Sequence, residues 1–251
     1  MPTDADLCNG YARTLRLQVV DCRWELADPA AGRRVYDDAH VPGASFLAVD
    51  TDLSAPPGAA GRHPLPDAAT FAEAAGRAGI GSGTTVLAYG SPGAERLWWL
   101  LRHFGHDACA VLIGGIGAWG GMLRGGPEQI EPQLFVPRAR DDDTAAAEEL
   151  VGRLRDPGLV VLDARAAERY RGEPNPIDNV PGRIPGARNA PWQEPLPGLP
   201  AGEVVAYCGS GVTACVVLHR LWLAGREGRL YPGSWSEWEQ RPELPRETGS
   251  T

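Results

Sequence analysis

The second half of this 251-residue chain repeats the landmarks of the first, and that restricts its fold more than any single motif does. In the first half LQVVDCR leads to HVPGA, then TTVLAYG, then AERLWWLLRHFG, then ACAVLIGGIGAW. In the second half LVVLDAR leads to RIPGA, then EVVAYCG, then VTACVVLHRLWLAG, then GRLYPGSWSEW. Two copies of one supersecondary unit are implied. Within each copy, short β-branched runs alternate with turns and helix-length apolar segments, the pattern of an α/β fold with a central parallel sheet flanked by helices. The division expected is a first domain over residues 1–124, a linker over 125–144 and a second domain over 145–251. The linker holds GGPEQIEPQ and RARDDD, whose Gly, Pro and charge clusters suit a connection. The copies differ between the PGA turn and the third landmark. There the second half has only NAPWQEPLPGLPAG, too rich in proline for a full helix, so its domain is expected to be trimmed on one side.

Charge and cysteine usage narrow the function. A formal net charge of −8 argues against a nucleic-acid or anionic-membrane partner. All 24 basic residues are arginine, which removes Walker-type phosphate loops and Schiff-base or pyridoxal chemistry. The five cysteines, Cys8, Cys22, Cys109, Cys208 and Cys215, are odd in number and form no CxxC, against structural zinc or a disulfide framework. Leu7-Cys8 lacks the apolar stretch of a lipoprotein signal, and no segment has the length of a membrane span. A cytoplasmic protein with reduced thiols is expected.

One of those thiols has a special address. EVVAY reads as a buried strand and VTACVVLHRLWLA as a helix stopped by Gly225, so Cys208 lies in a tight Gly-Ser-Gly loop between strand and helix N-terminus. Unpaired N–H groups and the helix dipole there favour negative charge, hence the thiolate, which is the nucleophilic form. The glycines let successive N–H groups turn inward as an anion nest. In the first copy Gly90 stands at this position, so only the second half carries a nucleophile. Cys215, seven residues on, is too far down the helix for an easy disulfide, and Cys22 and Cys109 fall in strand-like runs expected to be buried. Trp98, Trp99 and Trp222 are expected in the core, with Trp119 and Trp238 closing the two sheets.

These motifs resemble the tandem rhodanese-domain sulfurtransferases over nearly the whole chain. The likeness rests on the paired D-x-R and [HR]-[VI]-P-G-A turns, the loop C-G-S-G-V-T-A and the closing Y-P-G-S-W-S-E-W. The loop is most similar to that of 3-mercaptopyruvate sulfurtransferases; thiosulfate-using rhodaneses commonly carry basic residues at its second and third places. The resemblance implies an inactive first domain, a catalytic second domain and a site between them. It makes Cys208 the persulfide-forming cysteine and Ser210, His63 and Asp50 a proton relay. Gly209, Gly211, Val212 and Thr213 complete the substrate loop, and Arg169 holds the substrate carboxylate through its fork. The second substrate arginine of that family falls at Ile177, which predicts weakened donor binding unless Arg171 or Arg183 takes its place; Arg183 occupies the usual histidine of the second turn.

The chemistry implied is a ping-pong transfer of sulfur from 3-mercaptopyruvate to Cys208, with release of pyruvate. A thiophile such as a small thiol, thioredoxin or cyanide then accepts that sulfur, and no metal or organic cofactor is required. Thiosulfate as donor in the same fold is the alternative, and a persulfide carrier without turnover is a further one. A cysteine phosphatase is disfavoured because Ala214 stands where such loops need arginine.

Overall fold

The computed structural model describes residues 16–249, so Cys8 lies outside it. The first half contributes β1 (Arg16–Asp21), α1 (Ala31–Asp38), β2 (Ser45–Phe46), α2 (Ala68–Arg77), β3 (Thr84–Tyr89), α3 (Gly93–His103) and β4 (Cys109–Val111). The second contributes α4 (Ala147–Gly152), β5 (Leu159–Asp163), α5 (Ala167–Arg171), β6 (Arg188–Asn189), β7 (Glu203–Tyr207), α6 (Ala214–Leu223), β8 (Arg229–Leu230) and α7 (Ser234–Trp238). Each half builds one four-stranded, all-parallel sheet, ordered β2-β1-β3-β4 and β6-β5-β7-β8. The duplication read from the sequence is therefore a duplication of topology. Central strands such as VVD of β1 and VVLD of β5 are buried on both faces, as parallel sheets require.

The repeated motifs are structural fasteners. In each D-x-R turn the aspartate carboxylate accepts the arginine's own backbone N–H and its guanidinium, Asp21 from Arg23 and Asp163 from Arg165, which closes the end of β1 and of β5. The tyrosine ending β3 or β7 accepts the backbone N–H of the PGA turn, Tyr89 from Val41 and Tyr207 from Ile184. Tyr36 and Tyr170 each donate a hydroxyl to the alanine carbonyl of the same turn, Ala44 or Ala187.

As expected, the second copy has no counterpart of α2 among the described residues. Trp192, Leu196 and Leu199 of the proline-rich segment pack against the core instead. α3 and α6, which follow the equivalent strands β3 and β7, are buried almost all round and pack against each other. One apolar cluster runs continuously through both halves, from Val20 and Leu97 to Val217 and Leu230. Segment 125–144 contains no regular element but runs in contact with the first half. Its Gln133 and Arg138 N–H groups donate to Gly76 and Phe104 carbonyls, and Phe135 is buried edge-on against Phe71. Among the described residues no helix is long and apolar enough to cross a membrane.

Two expectations on core residues need correction. Trp98 and Trp99 are buried, but Trp222 is 41% exposed, capping Trp98 and stacking under the Arg102 guanidinium at the outer rim of the α3–α6 contact. Cys109 is half-buried because it opens the edge strand β4; Cys22 is fully buried.

Candidate active site

In the second sheet the chain leaves β5 to one side for β6 and returns on the other side for β7, so the carboxyl ends of β5 and β7 flank a topological switch point, where open α/β sheets bind ligands. Cys208 is the first residue after β7. The loop runs from Cys208 to Thr213, and α6 begins at Ala214, two residues later than the sequence implied, without a side-chain cap from Thr213. Gly211 makes this loop possible. Its φ of +80° suits glycine, its N–H donates to Cys208 Sγ at 3.1 Å, and a Cβ there would lie 2.6 Å from the Pro232 carbonyl oxygen. Val212 turns its side chain into the core, so its part in the loop is confined to the main chain.

The closing motif grips the same loop from behind. Ser234, at φ +53°, accepts the Cys208 N–H on its hydroxyl, while the N–H groups of Trp235 and Ser236 donate to the carbonyls of Cys208 and Gly209. The Ser236 hydroxyl also accepts the Arg62 backbone N–H, which ties the first half to the loop. Arg96 of α3, fully buried, donates to the carbonyls of Gly211, His63, Pro64 and Leu53. One guanidinium thus fixes the spacing between the cysteine loop and the histidine segment. Neither Ser236 nor Arg96 was singled out in the sequence, where each looks like an ordinary helix residue.

Distant residues meet here. His63 Nδ1 lies 2.7 Å from Ser210 Oγ, and His63 Nε2 lies 2.9 Å from Asp50 Oδ1. A carboxylate only accepts, so the network assigns the proton to Nε2 and leaves Nδ1 to accept the Ser210 hydroxyl. Burial holds the imidazole below its ordinary value, with the Asp50 carboxylate opposing that shift. Trp24 donates its indole N–H to the other Asp50 oxygen at 2.7 Å and stands edge-on to the His63 ring. Nothing in the local sequence marked Trp24.

The cationic residues separate into those at the site and those away from it. Arg169 reaches the loop, since a Cβ built on Gly209 would lie 2.8 Å from its Nη2. Its Nε and Nη2 are held by both oxygens of Asp178, at 2.8 and 2.5 Å. Arg183, expected as a substitute clamp, is not at the site. It is 1% exposed and donates to the Tyr170 and Gly249 carbonyls and to Glu247, doing for the second PGA turn what His40 does for the first with Tyr36 and Glu128. Arg171 pairs with Glu173 at the surface. Arg62, unremarked in the sequence, points its guanidinium over Gly209.

Thiol chemistry is confined in the same way. Burial pushes Cys22 well up, and pushes Cys109 and Cys215 up to about 12, the Arg96 charge opposing it at Cys215. None of these three supplies a thiolate near neutral pH.

Comparison with known proteins gives the family. The Rhodanese-like domain model matches residues 6–122 and again 146–241. The chain belongs to the rhodanese family. It is 43% identical to the "Probable 3-mercaptopyruvate sulfurtransferase" of Pseudomonas aeruginosa, over 93% of each chain. It is 31% identical to the thiosulfate sulfurtransferase of Rattus norvegicus, over 90% of this chain and 86% of that one. The crystal structure of SseA from Escherichia coli, described as a 3-mercaptopyruvate sulfotransferase, superposes with a TM-score of 0.77 at 27% identity, covering 93% of this chain and 98% of that one. This member of the family is accordingly an enzyme, a sulfurtransferase.

The first-half counterpart of the site is closed by main chain. A Cβ at Gly90, φ +97°, would lie 2.5 Å from the Arg23 nitrogen. Gly90→Cys combined with Cys208→Ser is therefore expected to restore no sulfur transfer and to lower the melting temperature. Recovery of activity in that double variant would contradict the reading that the main chain leaves no room for a nucleophile at this position.

Proposed function

We propose that this sulfurtransferase takes its sulfur from 3-mercaptopyruvate, forms a persulfide on Cys208 and passes the outer sulfur to a thiol. The carrying observation is the pairing of a charge-free nucleophile loop, Gly209 and Ser210 following the cysteine, with the Arg169 fork held over Gly209. Thiosulfate would bring a dianionic end into a loop that carries no cationic side chain of its own, Gly209 and Ser210 following the cysteine. A 2-oxo acid brings its charge on a carboxylate three bonds from the sulfur, where a guanidinium can take it.

The Cys208 thiolate attacks the donor sulfur, the S–S bond forms, and the C–S bond breaks with its electron pair going to the carbon as pyruvate enolate. The donor S–H proton must leave and the enolate must gain one. Ser210, donating to His63 Nδ1, keeps lone pairs on its oxygen with which to accept a proton. It can accept the S–H proton while handing its own to His63, and the reverse transfer delivers a proton to the enolate. Asp50 on Nε2 keeps the ring oriented and stabilises the imidazolium formed between those steps. The Gly211 N–H, already on Sγ, supports the negative charge of the sulfur.

A side-by-side kcat/KM comparison of mercaptopyruvate and thiosulfate, with one common thiol acceptor, tests the donor. Mercaptopyruvate should lead by roughly tenfold or more, the worth of one charged hydrogen-bonded contact. A preference for thiosulfate would overturn the assignment.

A further inference from the structure

Arg96 carries a positive charge into the interior and meets no carboxylate there. Its side chain is fully buried, and it forms no ion pair with an acid among the described residues. Its hydrogen bonds go to the carbonyls of Leu53, His63, Pro64 and Gly211, at 3.2 to 3.4 Å. A fastener needs donors; it does not need a net charge in the core, where an ion without a counterion costs stability. The two copies of the repeat differ at this place in a telling way. Six residues past Gly90 stands Arg96, and six residues past Cys208 stands Ala214. The copy without the sulfur holds the cation, and the copy with the sulfur holds none.

The neighbours of Arg96 are sulfurs. Burial pushes the guanidinium below its ordinary value, and the groups that oppose this are Cys215 and Cys208. Cys215 donates its thiol to the Gly211 carbonyl, the oxygen that Arg96 Nη1 also reaches, and burial keeps it protonated. Cys208 is the other. Its sulfur accepts the Gly211 N–H at 3.1 Å, so the cation and the nucleophile are joined to the two ends of one glycine. The remaining charges face the loop from outside or are already matched. Arg62 and Arg169 point over Gly209, Arg169 is paired with Asp178, and His63 with Asp50 reaches Ser210. We propose that Arg96, on the reading that Cys208 is the nucleophile, is the buried countercharge of the cysteine loop, stabilising the negative sulfur of the thiolate and then of the persulfide. It touches no reacting atom and acts through Gly211, as a positioning residue whose charge matters beyond its hydrogen bonds. The first half then supplies the second with a cation as well as with a proton relay.

The test uses the full chain without donor and follows alkylation by iodoacetamide, a neutral reagent, at fixed pH, with mass spectrometry of the Cys208 peptide. Arg96→Gln and Arg96→Met remove the charge and should slow alkylation of Cys208 by roughly tenfold or more, the scale of a nearby opposite charge. Arg96→Lys keeps the charge and gives up the fork, so it should melt lower than wild type yet react within about threefold of it. A role confined to fastening predicts the reverse order, with glutamine, which keeps donors, ahead of lysine. In the wild type the rate should change less than about twofold between low and high salt, because a buried charge is poorly screened. A steep fall with salt would transfer the role to the outer arginines and overturn the inference. So would wild-type rates in Arg96→Gln and Arg96→Met, or an Arg96→Lys variant that is as slow as they are or does not fold; in each case Cys208 stands as the nucleophile. Alkylation of a different cysteine in the wild type would remove that assignment, and this inference with it.

Discussion

Cys208→Ser should reduce sulfur transfer on the order of 10⁴-fold or more, the scale reached when a covalent nucleophile is removed. Serine preserves the loop, because the Gly211 N–H and the Ser234 hydroxyl still have their partners in the neighbouring oxygen and main chain. Cys22→Ser, Cys109→Ser and Cys215→Ser should keep most of their activity, their thiols being held protonated by burial. Initial rates of the four variants, with melting temperatures as a folding control, check this. Substantial transfer by Cys208→Ser would place the nucleophile elsewhere.

The relay from the first half should carry the next largest effect. His63→Ala is expected to lower turnover by ~10²-fold, the range of a positioned acid–base group. Its pH dependence has a definite sign. A base at His63 would act as the neutral imidazole, and burial lowers its affinity for protons below the ordinary 6.5, so an acid limb due to His63 should lie below that value. Asp50→Asn removes the influence that raises the proton affinity of His63. The plateau should then fall, while the acid limb moves to still lower pH. A kcat/KM–pH series on the wild type, Asp50→Asn and His63→Ala decides the matter. A limb that stays put in Asp50→Asn, or survives in His63→Ala, would remove His63 from the relay.

How much of this was legible in the sequence depends on the reach of each interaction. The two parallel sheets followed from local period and from repetition, because β-branched runs and PGA turns report their own conformation. The trimmed second copy was equally plain, since proline excludes a helix wherever it falls inside one. The meeting of His63, Ser210 and Asp50 was available only through family resemblance; no periodicity connects residues separated by 147 positions. Arg183 shows how charge alone can mislead. It stands in the turn position of a histidine, and the structure gives it that histidine's fastening work on Tyr170 and Glu247. Arg62, Arg96 and Trp24 were illegible because their roles arise where the halves dock, and a sequence does not state which surfaces will face each other. Trp222 failed for a simpler reason, as a bulky apolar residue at a helix end can cap a neighbour from outside as readily as fill a core.

The central claim is that sulfur passes through Cys208 at a site assembled from both halves. Its most direct test is a single turnover with mercaptopyruvate in the absence of acceptor, followed by mass spectrometry of the peptides and assay of released pyruvate. The account predicts one added sulfur on the peptide containing Cys208 and an equal amount of pyruvate, then loss of the added sulfur with no further pyruvate when thiol acceptor is supplied to the isolated persulfide. An added sulfur on the Cys22, Cys109 or Cys215 peptide, or pyruvate release with Cys208 unmodified, would contradict it.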